Sequence, residues 1–426
     1  MRADGPHASE GRGVTARGGT TGPLQGIRIV DITTAFSGPY CSLLLAEMGA
    51  DVIKVEAPGG DVIRDVGARR TPGMSGTFLN ANRGKRSVVL DLKTPGGRQI
   101  LDELVGSADV LLHNMRPAAA DRLGLAYQTV ADRHPNLVYC GLHGYGEGGP
   151  YADRPAYDDT IQAASGLAHL QGLGTGEPAY ARTIVVDKTA GLTALYGILA
   201  ALFFRERTGS GQEVDVSMFE MMVSYVLIEH MNGWTFDPPV GPPIYPRTVS
   251  EHRRPYRTSD GYVAVMLYTD AHWRRFFASQ GMALMDEPRF ASIGGRTEHI
   301  DELYGIVREI MLTRTTAEWH VLLEDIDVPM APVHDFESLL TDPHLLSTGF
   351  FRTHQHPTEG PLRSMRAPVA FSATREGNPR PAPHLGEHTA EVLRELGLSQ
   401  ERIEQLYADG SALGLRETAV PGRRTG

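Results

Sequence analysis

One aspartate combines the side chain and the setting that covalent chemistry requires. Ile184, Val185 and Val186 run into Asp187, and Leu192, Leu195, Leu199, Leu202 and Phe203 follow at helical spacing. That order predicts a short strand, a carboxylate and a long helix, with Asp187 at or near the helix N-terminus. There, unpaired backbone N–H groups and the positive end of the helix dipole favour an ionised carboxylate. Such a group serves as an N-cap, a role aspartate fills well, or as a nucleophile. The residues alone leave both roles open.

Other clusters offer binding chemistry. ANRGKR carries Arg83, Lys85 and Arg86, and NMRPA carries Arg116. Both are expected in loops at strand ends, where open α/β sheets take their ligands. A single basic cluster reads as a solvated patch, whereas two at the strand ends of one sheet fit a phosphate site. Gly144, Gly146, Gly148 and Gly149 make a loop that can approach a ligand closely, move as a lid, or simply connect. Asp158 and Asp159, following Tyr157, read as first-turn acids of a helix.

These residues need a scaffold, and the chain supplies one near its start. GIRIVDIT reads as a strand and SGPYCSLLLAEMGA as a helix with Ser37 as its cap and Pro39 in its first turn. ADVIKVE reads as a second strand, so the three form a βαβ unit in a parallel sheet. The connecting turn, TTAFSGP, lacks G-x-G-x-x-G, so the dinucleotide fingerprint is missing. RSVVLDL, DVLLHN and PNLVYCGLHGY add further strands. The proline-rich DPPVGPPIYPR cannot form the interior of a regular element and marks a linker. Beyond it, YRTSDGYVAVMLY is a hairpin signal, and Trp273, Phe276 and Phe277 form a local core.

The expected fold class is α/β, with a Rossmann-like parallel-sheet large domain and a smaller α+β domain. The expected divisions are a disordered tail at 1–22, a large domain at 23–235, a linker at 236–251, a small domain at 252–330, a C-terminal segment at 331–412 and a flexible tail at 413–426.

With 51 acidic and 41 basic residues, the net charge is −10. This argues against broad nucleic-acid binding but leaves room for an anionic small ligand at a local basic site. Two cysteines, Cys41 and Cys140, exclude a disulfide framework and a four-cysteine zinc site. No metal site is expected, and a reducing, cytoplasmic location is the simpler reading. No apolar run approaches the ~20 residues that span a bilayer, so no membrane partner is expected.

In order along the chain, DITTAFSGPYCSLLLAEMGADVIKVEAP, NRGKRSVVLDL, LHNMRP, GYGEGGPYADRPAYDDTIQAASG and VVDKTAGLTALYGILAALFFRERTGSGQEVDVSMFE resemble the family III coenzyme A transferases (the CaiB/BaiF family). YRTSDGYVAV and APHLGEHTAEVL extend the resemblance to the later part of the chain, over about residues 24 to 410. The group includes formyl-CoA:oxalate and carnitine CoA-transferases and, more distantly, the α-methylacyl-CoA racemases. The resemblance implies Asp187 as nucleophile, with acyl-CoA and a carboxylic acid as substrates and no tightly bound cofactor. Asn114, Met115 and Arg116 match its coenzyme A loop, although Ala118 stands where a glycine is usual. Arg83, Lys85 and Arg86 match the region holding the adenosine phosphates, and Thr34, Ala35 and Phe36 the adenine and pantetheine contact. Tyr157 and the glycines Gly146, Gly148 and Gly149, within a segment that shares the resemblance, are read as substrate or lid residues. The resemblance also implies an interlocked homodimer whose large domain draws on both chain ends. Tyr157 stands where the racemase branch has histidine, and its phenol titrates too high for proton transfer. This favours transfer over the alternatives, a racemase or a non-catalytic coenzyme A-binding protein. No run of four glycines precedes the hairpin; YPRTVSEHRRPY stands there, and its Arg253 and Arg254 lean toward a dicarboxylate substrate.

Overall fold

The computed structural model describes residues 21–374 and 380–415, so the expected terminal tails fall almost wholly outside the described residues. The chain divides into two compact units. One holds the described residues within 1–164, Arg182–Met222 and the described residues within 352–426; the other holds Ser165–Ala181 and Val223–Phe351. The second unit is thus broader than the 252–330 span expected from composition and takes in the proline-rich stretch.

The first unit is organised on strands β1 (Arg28–Asp31), β2 (Asp51–Glu56), β3 (Lys85–Leu90), β4 (Val110–His113), β5 (Val138–His143) and β6 (Glu213–Ser217). They lie in the order β3-β2-β1-β4-β5-β6 and pair in parallel. A short strand from far along the chain, Ala412–Leu413, adds antiparallel to the β3 edge. Every residue of β1 to β5 is buried. Strands covered on both faces read as near-continuous apolar runs, which explains segments such as VLLH. The order reverses between β1 and β4, and at such a switch point the two following loops part to leave a crevice.

Helix α1 (Ser37–Glu47) follows β1. Ser37, expected as its cap, is instead its first residue; Phe36 holds the cap position without a side-chain bond. A Cβ on Gly38 would lie 2.3 Å from the Thr33 side chain, so only glycine lets the helix start this close to the strand end. Helix α2 spans Asp158–Ala164, and α3 spans Val185–Thr208.

Residues 184–186 do not form the strand their β-branched side chains predict. Ile184 is the N-cap of α3, and Val185 and Val186 already lie in the helix, where Val186 is fully buried. Packing overrides propensity at this point. A Cβ on Gly191 would sit 2.7 Å from the Ser37 carbonyl oxygen, so α3 and α1 meet backbone to backbone. By length and composition alone, α3 is long and apolar enough to cross a bilayer, contrary to the expectation that no segment is. Its Ala190, Gly191, Ala194, Ile198 and Ala201 face is buried within the unit, as in a core helix.

The second unit contains the expected hairpin, β7 (Tyr256–Arg257) and β8 (Tyr262–Val265), joined antiparallel by β9 (Met330–Pro332). The Thr258 N–H donates to the Gly261 carbonyl at 2.9 Å across the turn. Trp273, Phe276 and Phe277 are buried as expected, together with Trp319, Phe290 and Val307.

Candidate active site

The crevice between β1 and β4 is closed at its base by a two-way bond. Asn114, just past β4, accepts the Thr34 N–H at 3.1 Å and donates to the Thr34 carbonyl at 2.8 Å. The loops carrying 34–36 and 114–116 are therefore held side by side. Ala35 sits in the left-handed region at φ 66, unusual for a residue with a side chain. Asp61 stabilises it by accepting the Ala35 N–H at 3.1 Å.

Beneath this loop lies a buried charge network. Lys54 pairs with Asp61 at 2.8 Å and donates to the Thr33 carbonyl at 2.9 Å. Asp31 accepts the Thr33 N–H at 2.9 Å and the Ser42 hydroxyl at 2.5 Å. Burial would raise the Asp31 carboxyl, but Lys54, Lys85 and the two hydroxyls overcome it and hold the acid below its usual range. Asp31, Lys54 and Asp61 were not read as site residues from sequence. For Asp31 and Lys54 the clue was a charged residue inside a strand otherwise apolar; Asp61 lies past β2, where it caps a short turn.

The basic segment 83–86 is not the open phosphate loop expected. Lys85 and Arg86 belong to β3, and Arg83, Lys85 and Arg86 are all buried. Arg83 pairs with Glu47. Lys85 lies 3.5 Å from Asp31 and donates to the Asn82 side chain at 2.8 Å, and burial pushes its ammonium down to about 7. Arg86 pairs with Asp51 at 2.7 Å and with Glu395 at 2.6 Å. These cations are neutralised within the protein, which leaves their side chains little to offer a phosphate. Arg116 is different: it is exposed, and among the described residues its side chain donates only to the Asp153 carbonyl, at 3.2 Å. Met115 is partly buried against the core and accepts from His143 at 3.1 Å.

Asp187 lies in the first turn of α3 as expected, one turn before the Gly191 contact that sets this helix against the start of α1. Among the described residues it forms no ion pair, and its electrostatic neighbour is another acid. The buried Asp158 carboxylate accepts the Asp187 N–H at 3.0 Å and the Gln162 amide at 2.5 Å. Asp158 therefore caps α3 from a neighbouring helix, a role beyond the first-turn acid read from sequence. Burial, then the Asp158 charge, push the Asp187 carboxyl up to about 6. A carboxylate so placed is not the N-cap; Ile184 holds that position. The Lys188 N–H is spent on the Ile184 carbonyl at 3.3 Å and is not free to stabilise an oxyanion.

The Gly146 N–H donates to both Glu220 oxygens, at 3.2 and 3.3 Å, which anchors one end of the glycine loop. Gly148 and Gly149 are exposed, and Gly148 has φ 79. Tyr157 is 73% exposed and immediately precedes Asp158, the first residue of α2.

Comparison with known proteins follows the same lines. Residues 24–389 match the family model described as CoA-transferase family III. The chain is 34% identical over 391 residues to the succinate–glutarate CoA-transferase of Agrobacterium fabrum, covering 88% of this chain and 96% of that protein. It is 31% identical to the formyl-CoA:oxalate CoA-transferase of Escherichia coli, covering 89% of this chain and 97% of that one. The crystal structure of a CAIB/BAIF family protein from Brucella suis superposes with a TM-score of 0.72 at 29% identity, covering 88% of this chain and all of that one (100%).

Proposed function

The chain belongs to CoA-transferase family III, and from that premise we propose that it transfers coenzyme A between an acyl-CoA and a carboxylic acid through a covalent aspartyl-CoA thioester on Asp187. The observation that carries this reading is a partly buried carboxylate without a cation partner among the described residues, set at the start of a helix that packs beside the switch-point crevice. A carboxylate paired to lysine is stabilised as an anion and blunted as a nucleophile; Asp187 is not blunted in this way.

In the first step the Asp187 carboxylate attacks the donor thioester carbonyl and expels the coenzyme A thiolate, leaving a mixed anhydride. The thiolate then attacks the aspartyl carbonyl, forming the enzyme thioester and releasing the donor acid. The acceptor carboxylate attacks that thioester, and the expelled thiolate attacks the acceptor's acyl carbon, restoring Asp187. Each step is an acyl transfer between groups already held by the protein. Thr34, Ala35 and Phe36, with Asn114, Met115 and Arg116, line the nucleotide path in this reading. Closure of the glycine loop shields the anhydride from water.

Incubation with an acyl-CoA followed by borohydride or hydroxylamine quench tests the mechanism by mass spectrometry. Modification at Asp187 is expected; exchange without modification there overturns it. Solvent deuterium at the substrate α-carbon without acid exchange would point to the racemase reading, which nothing in the site favours. A homodimer is part of the proposal, supported by Leu192, Tyr196, Phe203 and Phe204, all exposed on α3. A monomer in light scattering at micromolar concentration would remove that part. A cytoplasmic location is proposed too, supported by the free, buried thiols of Cys41 and Cys140; a fluorescent fusion outside the cytoplasm would refute it.

A further inference from the structure

The second unit holds a cavity of about 500 Å³ beside its small sheet, lined by Arg247, Arg253, Arg254, Tyr256, Met266 and Met330 among others. Its size falls within the range of small-molecule sites, roughly 300–1,000 Å³. The three arginines form no ion pair among the described residues. Arg247 is partly buried, and its guanidinium meets the Tyr304 hydroxyl at 3.1 Å, the Met266 sulfur at 2.9 Å and the Tyr268 ring at 5.6 Å. None of these neutralises it. Arg254 donates to the Glu251 backbone carbonyl at 3.0 Å, while the Glu251 carboxylate lies 3.5 Å from His252.

Elsewhere in this unit most arginines differ: Arg274, Arg275, Arg289, Arg296 and Arg308 each pair with a carboxylate, while Arg257 and Arg314 form no ion pair among the described residues. Cations gathered on one cavity without counter-charge, one of them partly desolvated, make a site for an anion. Guanidinium forks suit planar oxyanions such as carboxylates and phosphates. The apolar part of the lining, Val265, Met266 and Met330, suits a hydrocarbon body between two charged ends.

We infer that this cavity binds a short-chain dicarboxylate through Arg253 and its neighbouring guanidinium groups. The binding stands on these residues alone; that the bound dianion is the acid exchanged by the enzyme rests on the transfer reading above.

Calorimetric titration of the whole protein with glutarate tests it, alongside butyrate and adenosine 3′,5′-bisphosphate as competing probes. Among the described residues the Arg253 side chain makes no hydrogen bond or ion pair, so Arg253→Gln is expected to keep the wild-type melting temperature. It should weaken glutarate binding roughly tenfold or more, with Arg253→Lys intermediate. Glutarate should bind Asp187→Ala as tightly as wild type, and butyrate should bind less tightly than glutarate. Unchanged glutarate affinity in Arg253→Gln overturns the proposal, as does Arg253-dependent binding of the bisphosphate in place of glutarate. If Arg253 governs glutarate binding but Asp187 never carries coenzyme A, the cavity stands and the transfer reading falls. If Asp187 is modified but glutarate ignores Arg253, the cavity assignment falls alone.

Discussion

The end of β1 and the start of α3 each place an aspartate behind a run of β-branched residues, and their surroundings are opposite. Asp31 is fully buried, with Lys54 and Lys85 nearby and hydroxyls from Thr33 and Ser42 on its oxygens. Asp187 is only partly buried, with Asp158 as its charged neighbour. The first acid is driven to a low pKa and the second to a high one. A buried charge with its partners present organises the structure around it; one denied a partner is left to react. The contrast separates scaffold from chemistry within a single unit, where residue type cannot.

The largest effect is expected at the unpartnered acid. Asp187→Ala should lower acid exchange by about 10⁴-fold or more, on the order of 5 kcal/mol in the barrier, without lowering the unfolding midpoint at neutral pH, where the ionised acid opposes folding. Exchange of a labelled acid into acyl-CoA measures it, and undiminished exchange would erase the distinction drawn here. At the partnered acid the loss should fall on the fold. Asp31→Ala leaves Lys54 and Lys85 short of a counter-charge and should cost about 3–5 kcal/mol in urea unfolding.

A finer test sharpens the electrostatic half of the contrast. Asp187 must be ionised to attack, so kcat/KM is expected to rise with pH through an acid limb near 6. Asp158→Asn removes the like charge and should move that limb down by about one unit, toward the ordinary carboxylate value. The stability sign is opposite. Asp187 holds its proton more tightly folded than unfolded, so its contribution to stability declines as pH rises from near 3.8 toward about 6. The smallest effect is expected at the exposed loop. Arg116→Ala should raise KM for acyl-CoA by about three- to tenfold with kcat little changed, roughly 1 kcal/mol of uniform binding. Arg86→Ala should instead lower the melting temperature.

Elements whose residues all answer to one local demand were legible in sequence. The parallel strands, the hairpin at Tyr256 and the core at Trp273 and Phe276 are of this kind. So was the position of Asp187 in a helical first turn, because a long run of helix formers follows it. What failed depended on partners far along the chain. Arg86 looked like free positive charge because Glu391 and Glu395, which neutralise it, lie about 300 positions later. Asp158 is the first-turn acid its position suggested, but its bond to the Asp187 N–H was not legible because it crosses from one helix to another. Residues 184–186 looked like a strand because β-branching is a local property, whereas the helix beginning at Val185 is fixed by contact with α1.

The strand Ala412–Leu413 seals β3, whose Arg86 also finds its counter-charges on a late helix. During synthesis on the ribosome, β3 emerges long before either. Over most of translation, the nascent chain therefore carries an open hydrogen-bonding edge and a guanidinium with Asp51 as its partner but without the late glutamates. A premature stop even a few residues before Ala412 would release a chain with that edge still unclosed.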